Sequence, residues 1–309
     1  MSLAIVGNLN LDLKTSPLPA GPALLADGET SAGEIYETLG GGGANTALAA
    51  ARLGLGVTLV AAVGDDALGR RLAAFLSACG VTPRLALKPA ATGRSLALSY
   101  DNHQRHFVSH LPSAALLTAG DIDLPTLVAA GCRQLYRADP WFAPAMTAEG
   151  NRELLAAARA AGLTTALDLN YDPLWRAGRA DPEVRRRLAA MAEVLPQVDE
   201  LHGNARELGF FSGRSDWPAA AAWCLERGAG AVVMHLGAAG SAAVTASGVV
   251  RVAAEPVASV VGETGSGDVF TAAVLAGAGR DWPARLAAGN AAAARHLAGL
   301  TEFAPRLAD

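Results

Sequence analysis

The sequence of 309 residues is poor in cysteine: it has Cys79, Cys132 and Cys224, and none of them stands in a C-x-x-C pair. An odd, scattered set of this kind excludes a disulfide framework and a zinc site built from thiolates, and it indicates a reducing compartment. No segment approaches the roughly 20 consecutive apolar residues that a membrane span needs. The N-terminus runs into an apolar strand pattern without a basic region before it, so we expect no secretory signal and a cytoplasmic location.

Basic residues are also scarce. There are 25 Lys and Arg residues against 29 Asp and Glu residues, a net charge of −4. The one dense basic run, residues 185–187, lies in a helical pattern beside Glu183 and is interpreted as a solvated face. Nucleic acid and acidic membrane surfaces are therefore not expected as partners, because they require clustered positive charge.

A third absence concerns dinucleotide binding. No G-x-G-x-x-G follows the first predicted strand, where dinucleotide-dependent oxidoreductases carry it. The chain is instead 51% apolar and 17% charged, a composition typical of a globular enzyme with a large core. Apolar strand-like runs alternate with helical stretches rich in Ala and Leu. This pattern predicts an α/β fold, with a mainly parallel sheet flanked by helices on both faces, in a single domain over residues 1–309. The predicted strands include residues 3–6, 57–62, 134–136, 165–169 and 231–236, and the predicted helices include residues 44–53, 69–79, 151–161, 218–227 and 268–277.

Two segments interrupt this alternation. Residues 11–36 contain several prolines and show little helical periodicity. Residues 93–108 alternate polar and apolar side chains around a turn at Asp101 and Asn102. Alternation of period two is typical of a sheet with one exposed face. We therefore expect both segments to form a small antiparallel β lid, which would cover a site or provide a dimer surface.

The strongest local motif is a glycine-rich turn in which Gly265, Ser266 and Gly267 precede Asp268 and a helical run. Glycines let backbone amides turn toward one point, and the N-terminus of a helix favours an anion at that point. A phosphoryl group in transfer is such an anion, and Asp268 would take the proton of an attacking hydroxyl. An Asp placed in the first turn for its favourable interaction with the helix dipole explains the same pattern.

A run of four glycines at residues 40–43 precedes Asn45 and a predicted helix. At Gly41 and Gly42 the bare backbone would approach a ligand closely, and the Asn45 side chain offers a donor and an acceptor, as sugar hydroxyls require. A flexible loop that leads into a helix is the alternative interpretation.

Asn10 and Asp12 follow the first predicted strand. Because α/β sheets bind ligands beyond the carboxyl ends of their strands, both residues are candidates for contacts with the substrate. An Asx-turn, which is common after strands, is the alternative.

Asn204 and Glu207 stand three residues apart at the start of a helical pattern. This spacing is an ordinary capping arrangement. It also places both side chains on one face, where they would hold the water shell of Mg²⁺ near the phosphates of ATP.

Taken in order, these motifs resemble the ribokinase-like (PfkB) family of carbohydrate kinases over nearly the whole chain. The segments that carry the resemblance are Gly7-x-x-Asn10-x-Asp12, residues 40–45, Val63-Gly64-x-Asp66-x-x-Gly69, Thr92-Gly93 with Arg105, Asp168-x-Asn170, Leu174-Trp175, Asn204-x-x-Glu207, Leu236-Gly237 with Gly240, residues 265–268, and Asn290-Ala291-Ala292.

The resemblance implies an ATP-dependent kinase that phosphorylates a small sugar. By resemblance, Asp268 is the catalytic base, residues 265–267 form the anion hole, and Gly237, Gly240 and Asn290 belong to the nucleotide pocket. Glu207 is then expected to act on Mg²⁺. A homodimer formed through the lid is also implied.

The chain departs from the family pattern at several positions. Gly262 and Glu263 stand where the second signature usually has Asp-Thr, and His235 replaces a common Thr. Asp172 stands in place of an Arg, and Gly42 in place of the Lys of ribokinase. In ribokinase the missing Asp helps to ligate a monovalent cation, so we expect turnover here without K⁺.

Two other functions remain open from the sequence. A nucleoside kinase on the same scaffold would use the same residues, because a nucleoside and a free sugar both present ribose-like hydroxyls. A non-catalytic sugar sensor would keep the fold without turnover, and the change at Gly262 and Glu263 favours it. The presence of Asp268 and Glu207 speaks against a sensor, which has no need of a base.

Overall fold

The computed structural model describes residues 2–102, 104–261, 264–300 and 305–307. The strands in these ranges are β1 (Ser2–Val6), β2 (Asn10–Thr15), β3 (Ile35–Gly40), β4 (Gly56–Gly64), β5 (Val81–Lys88), β6 (Arg94–Ser99), β7 (Arg105–His110), β8 (Cys132–Arg137), β9 (Thr164–Asp168), β10 (Glu200–Asn204), β11 (Ala231–His235), β12 (Ser241–Thr245) and β13 (Gly248–Val252). The α-helices are α1 (Gly42–Arg52), α2 (Ala67–Ala78), α3 (Leu124–Ala129), α4 (Asn151–Ala160), α5 (Pro182–Ala192), α6 (Ala205–Ser212), α7 (Trp217–Leu225), α8 (Ser266–Ala276) and α9 (Trp282–Leu297). No helix in this part of the chain is long and apolar enough to cross a membrane.

The larger sheet has nine strands in the order β13-β12-β11-β10-β9-β8-β1-β4-β5. The seven strands from β11 to β5 are parallel, and the β12–β13 hairpin continues the sheet in antiparallel fashion at one edge. The predicted α/β class with a mainly parallel sheet is confirmed. Its consequence for function is that seven carboxyl ends meet along one edge of the sheet, where α/β folds bind ligands.

Apolar cores lie on both faces of this sheet. Successive side chains of a strand point to opposite faces, so Ile5 and Val6 of β1 enter different clusters. Ile5 packs in the cluster that includes residues of α1, α2 and α8. Val6 packs in the cluster that includes residues of α4, α5, α6 and α7. Because both faces of the sheet are buried, the sequences of the parallel strands are continuous apolar runs.

Helix α4 begins at the predicted residue, whereas α1, α2, α7 and α8 begin one or two residues earlier than predicted. Helix α2 begins after Asp66, whose carboxylate accepts a hydrogen bond of 2.7 Å from the amide of Gly69. Helix α7 begins after Asp216, which accepts one of 2.9 Å from Ala219. In both cases an Asp cap fixes the start of the helix one or two residues before the predicted first residue.

The lid is a second sheet of four strands in the order β3-β2-β6-β7. Both predicted lid segments contribute to it, and the turn at Asp101 and Asn102 connects β6 to β7. The central pair, β2 with β6, is parallel rather than antiparallel. The reason lies in the larger sheet: β2 follows β1 and β6 follows β5, and these two parallel strands deliver the chain to the lid in the same direction.

Candidate active site

The first turn of α8 forms the centre of the candidate site. Gly265 precedes the helix with φ of 84°, a left-handed conformation that glycine adopts without strain. The amides of Ser266, Gly267 and Asp268 lie in the first turn, where backbone N–H groups have no partner within the helix. They therefore provide a site for an anion at the positive end of the helix dipole. Gly262 and Glu263, at which the family pattern is broken, lie outside the described residues.

Asp268 is half-buried in this turn and close to other carboxylates. Burial raises the pKa of Asp268 well above its usual value, and the negative charges of Asp139 and Asp168 raise it further. A hydrogen bond with the Asn45 side chain acts in the opposite direction and lowers the pKa. The structure thus brings together the predicted base and the predicted acceptor-binding Asn45.

The sequence analysis missed Asp139, which follows the carboxyl end of β8. Its carboxylate accepts hydrogen bonds from the amides of Asn8 at 3.0 Å and Gly43 at 2.9 Å. Its backbone has φ of 53°, which is uncommon for a residue other than glycine. Burial raises the pKa of Asp139, and the two amides oppose that shift. The argument that singled out Asn10 and Asp12, a polar residue just beyond a strand, would also have found Asp139.

Close packing requires glycine in the run at residues 40–43, whether or not a ligand binds there. A Cβ at Gly41 would overlap the carbonyl oxygen of Asn8, and φ there is 96°. A Cβ at Gly42 would lie 2.8 Å from Oδ1 of Asp139. The predicted contacts of Gly41 and Gly42 with a substrate stay predictions, since the packing around Asn8 and Asp139 already explains both glycines.

Asn10 and Asp12 are the first and third residues of β2 and lie in the lid sheet rather than in an Asx-turn. The side-chain amide of Asn10 donates to Oδ1 of Asp12 at 2.7 Å and to Oγ of Ser95 at 3.3 Å. Burial raises the pKa of Asp12, while the charge of Lys14 and the bond from Asn10 lower it. The missing side chain of Gly40 leaves room for Asp12, because a Cβ there would overlap its carboxylate.

Asn204 and Glu207 form the capping arrangement that the sequence allowed. Oδ1 of Asn204 accepts from the amide of Glu207 at 2.9 Å, and Oε2 of Glu207 accepts from the amide of Asn204 at 2.9 Å. Burial raises the pKa of Glu207 to about 7, and the negative charge of Asp168 raises it in the same direction. Glu207 therefore caps α6 and also stands in a negative field that a nearby cation would relieve.

A magnesium ion fits the carboxylates of this site only if it keeps part of its water shell and also binds the phosphates of the substrate. In the described part of the chain no three or more His, Cys, Asp or Glu side chains are grouped to hold a metal ion by themselves. Mg²⁺ commonly keeps several waters and takes one or two carboxylates together with the phosphates of its substrate. Glu207 and Asp168 are the acidic side chains that suit such a partly hydrated ion.

The three residues predicted for the nucleotide pocket lie after β11 and on α9. Gly237 and Gly240 form a turn in which both have positive φ, at 59° and 89°. A Cβ at Gly240 would overlap the carbonyl oxygen of Val252. The side-chain amide of Asn290 donates to the carbonyl of Ala253 at 2.9 Å and so fixes the segment after β13. Gly240 and Asn290 thus have packing roles in the structure, and their contact with a nucleotide stays a prediction.

His235, at the end of β11, lies against the anion site. A Cβ on Gly267 would be 3.2 Å from Nε2 of His235, so a side chain there would press on the imidazole. Burial lowers the pKa of His235, and the charge of Asp168 opposes that shift. His235, which stands where the family pattern commonly has Thr, therefore lies next to the first turn of α8.

Comparisons with known proteins agree with this geometry. The family model described as pfkB family carbohydrate kinase matches residues 2–297. The chain belongs to the PfkB family. A fructokinase from Rhizobium leguminosarum bv. trifolii is 30% identical over 80% of this chain and 74% of its own length.

Two solved structures extend the likeness to the whole fold. A PfkB protein from Polaromonas sp. JS666 has 25% identity and a TM-score of 0.80, with 98% of this chain and 97% of that chain covered. Adenosine kinase from Sinorhizobium meliloti has 25% identity and a TM-score of 0.78, with 96% and 93% covered. The predicted family, the ribokinase-like fold and the assignment as an ATP-dependent sugar or nucleoside kinase are confirmed.

Proposed function

We propose that the protein transfers the γ-phosphoryl group of ATP to a hydroxyl of a small sugar of the pentose or hexose type. One observation carries the proposal. Asp268 lies in the first turn of α8, three residues after the left-handed Gly265, and a hydrogen bond with Asn45 of the glycine-rich segment lowers its pKa. A base, an anion site and a group suited to sugar hydroxyls thus meet at one point.

In the proposed reaction, the acceptor hydroxyl attacks the γ-phosphorus in line with the bond to the β-phosphate. The new O–P bond forms as the β–γ bridging bond breaks, and ADP leaves. The proton of the hydroxyl passes to the carboxylate of Asp268. The amides of residues 265–267 stabilise the negative charge of the transferring group.

Mg²⁺, when bound, neutralises charge on the ATP phosphates. Glu207 would hold its hydration shell from the start of α6, and Asp168 would add a second carboxylate. Five carboxylates surround the reacting centre, which makes a cation necessary if an anionic nucleotide is to bind there. These residues are Asp12, Asp139, Asp168, Glu207 and Asp268.

A nucleoside is the second candidate acceptor. Adenosine kinase is among the similar proteins, alongside fructokinase, and the residues on the acceptor side suit the hydroxyls of either class. We favour a sugar because two curated relatives that match at 30% identity are fructokinases.

The test is a coupled assay of ADP release with a panel of pentoses, hexoses and nucleosides, with and without Mg²⁺. We expect release that depends on a sugar and on Mg²⁺. Release with nucleosides alone would favour the second candidate. Binding of a sugar without any ADP release would identify a sensor and contradict the proposed function.

We also propose that the protein forms a homodimer through the lid. The face of the lid that points away from Asp12 carries an apolar row across three strands, Leu13, Leu96 and Val108, in register. Leu96 is 46% exposed and Val108 is 54% exposed. A second copy of the same face would cover these side chains.

A further inference from the structure

Asn170, which follows β9, shares an uncommon backbone conformation with Asp139, which follows β8. The φ angle is 45° at Asn170 and 53° at Asp139. Within the part of the chain that the structure describes, these are the residues other than glycine that have a positive φ. Asn and Asp tolerate this conformation better than most residues, but it is costly and persists only where the surroundings hold it. The two residues are therefore under a common constraint.

A hydrogen bond joins the two residues. The backbone amide of Asp139 donates to Oδ1 of Asn170 at 2.7 Å. Because β8 and β9 are neighbours in the sheet, this bond connects the segments that follow their carboxyl ends. The amide of Asn170 donates in turn to Oδ1 of Asp168 at 3.0 Å, which fixes the turn in which Asn170 lies. Asn170 is thus held through its own backbone and holds the backbone of Asp139.

The side chain of Asp139 extends this link to the glycine run. Its Oδ2 accepts from the amide of Gly43, in the first turn of α1, at 2.9 Å. Burial raises the pKa of Asp12 and of Asp268, and the negative charge of Asp139 raises both further, so this carboxylate lies within electrostatic reach of both. A displaced Asp139 would release the start of α1, which carries Asn45 to its position beside the base.

A buried ion pair anchors the same two segments independently of Asn170. Nε of Arg187, on α5, donates to Oδ2 of Asp172 at 2.7 Å, and a second guanidinium nitrogen donates to the carbonyl of Trp141. Arg187 and Asp172 are both buried. The indole of Trp141 also donates to the carbonyl of Leu169. Loss of the Asn170 bond should therefore disturb Asp139 without unfolding this region.

We propose that Asn170 is a positioning residue: by holding Asp139, it fixes the glycine run and Asn45 against Asp268 and so aligns the acceptor hydroxyl with the base. The inference rests on the proposed function, which supplies the acceptor and the base. Asn170 acts through Asp139 and not on the reacting atoms. A misplacement of about 1 Å costs on the order of a hundredfold in rate, so a single hydrogen bond at this place matters for turnover.

The first test is a double-mutant cycle of Asn170→Gly and Asp139→Ala, with the sugar that the wild type phosphorylates best as the acceptor. Glycine adopts a positive φ without strain and keeps the backbone amide that donates to Asp168, so Asn170→Gly removes the side-chain acceptor alone. We expect it to lower kcat/KM for the acceptor by about tenfold to a hundredfold, with a raised acceptor KM and a KM for ATP within about twofold of the wild type. In the Asp139→Ala background it should have little further effect.

Asp199→Ala is the matched control. Asp199 accepts from the amide of Thr165 at 2.8 Å and so links two segments at the amino end of β9, away from the site. This variant loses a bond of the same kind and should keep the kinetic constants of the wild type. If Asn170→Gly had the same effect with and without Asp139, or lowered kcat while the acceptor KM stayed unchanged, its role would be structural and the proposal would be overturned.

Amide hydrogen exchange, followed by NMR without ATP or acceptor, keeps the inference separate from the proposed function. The amides of Asp139 and Gly43 should exchange at least about tenfold faster in Asn170→Gly than in the wild type. Asn170→Asp keeps a side-chain oxygen that accepts a hydrogen bond, so both amides should stay protected in that variant. Equally fast exchange in the two variants would contradict the role of the bond.

The two readouts separate the possible failures. The expected exchange pattern would support the positioning of Asp139 even if no sugar were phosphorylated. Turnover of sugars together with unchanged exchange in Asn170→Gly would refute the inference and leave the kinase function intact.

Discussion

Asp268 combines two properties that a base of this kind needs. Its carboxylate lies beside an anion site, and burial, together with the charges of Asp139 and Asp168, raises its pKa above the usual range of aspartate. A raised pKa makes the carboxylate a stronger base, but only above the pH at which it has lost its proton. The rate should therefore rise with pH through the pKa of Asp268 and level off beyond it.

Asp268→Asn should lower kcat by roughly 10²–10⁴-fold, because the amide keeps the shape but cannot take the proton. The same change at Asp281, which caps α9 through the amide of Ala284 at 3.0 Å, is the matched control. We expect Asp281→Asn to retain its rate, and the measurement is steady-state ADP release. Turnover of Asp268→Asn within a few-fold of the wild type would place the base elsewhere.

Glu207 allows a test that separates its capping role from its action on a cation. Glutamine at this position can still accept from the amide of Asn204, because a capping box accommodates Glu or Gln. Glu207→Gln should therefore keep α6 while raising the Mg²⁺ concentration for half-maximal rate on the order of tenfold. An unchanged Mg²⁺ dependence would limit Glu207 to capping.

The raised pKa of Glu207 also has a consequence for stability. Between its ordinary value of 4.5 and about 7, the folded chain binds more protons at this site than the unfolded chain does. The free energy of unfolding should therefore fall as the pH rises through this window, in the absence of Mg²⁺ and nucleotide. Glu207→Gln should lose less stability than the wild type between pH 5 and pH 8, as urea unfolding would show.

The lid carries the proposed acceptor-binding residues Asn10 and Asp12 on one face and apolar side chains on the other. Its strand β2 places Asp12 over the site, and the absence of a side chain at Gly40 leaves room for the carboxylate. A lid built in this way links closure over the acceptor to the acceptor's own hydrogen bonds. The main consequence should appear in KM for the acceptor rather than in binding of ATP.

Asp12→Ala should raise the acceptor KM tenfold or more, because the hydroxyls that it would bind lose a partner worth about 1–3 kcal/mol. Asp101→Ala is the control: Asp101 also lies in the lid, where it accepts from the amide of Ala20 at 3.0 Å, away from the acceptor. Initial rates at varied acceptor and fixed ATP provide the measurement. Equal KM values for the two variants would remove Asp12 from the site.

The whole molecule consists of a large sheet covered on both faces and a lid with an uncovered apolar face. Covering that face would bring two lids together in a symmetric dimer. Val108→Glu places a charge in the apolar row and should shift the protein from dimer to monomer in sedimentation velocity. Val249→Glu is the matched control, since Val249 on β13 is also 54% exposed. A wild type that is monomeric at micromolar concentration would contradict the dimer.

The sequence alone determined the class of fold, the order of the motifs and most of the candidate site. Hydrophobic periodicity is a local property, so it predicted β1, β4, β8, β9 and β11, and five of the helices, to within a few residues. It did not single out β5, β10 or α9. The motif that ends at Asp268 was likewise readable, because glycines, an acid and a helix start are adjacent in the chain. The departure at Gly262 and Glu263, with the expected independence from K⁺, stays a prediction.

Only the tertiary structure decided which side chains share the site and what each also does for the fold. Asp139 joins it because β8 ends beside the glycine run, where its carboxylate accepts a hydrogen bond from the amide of Gly43. The parallel pairing of β2 with β6 also depends on contacts between distant segments. Long-range packing fixes such contacts, and no spacing of residues along the chain encodes them directly.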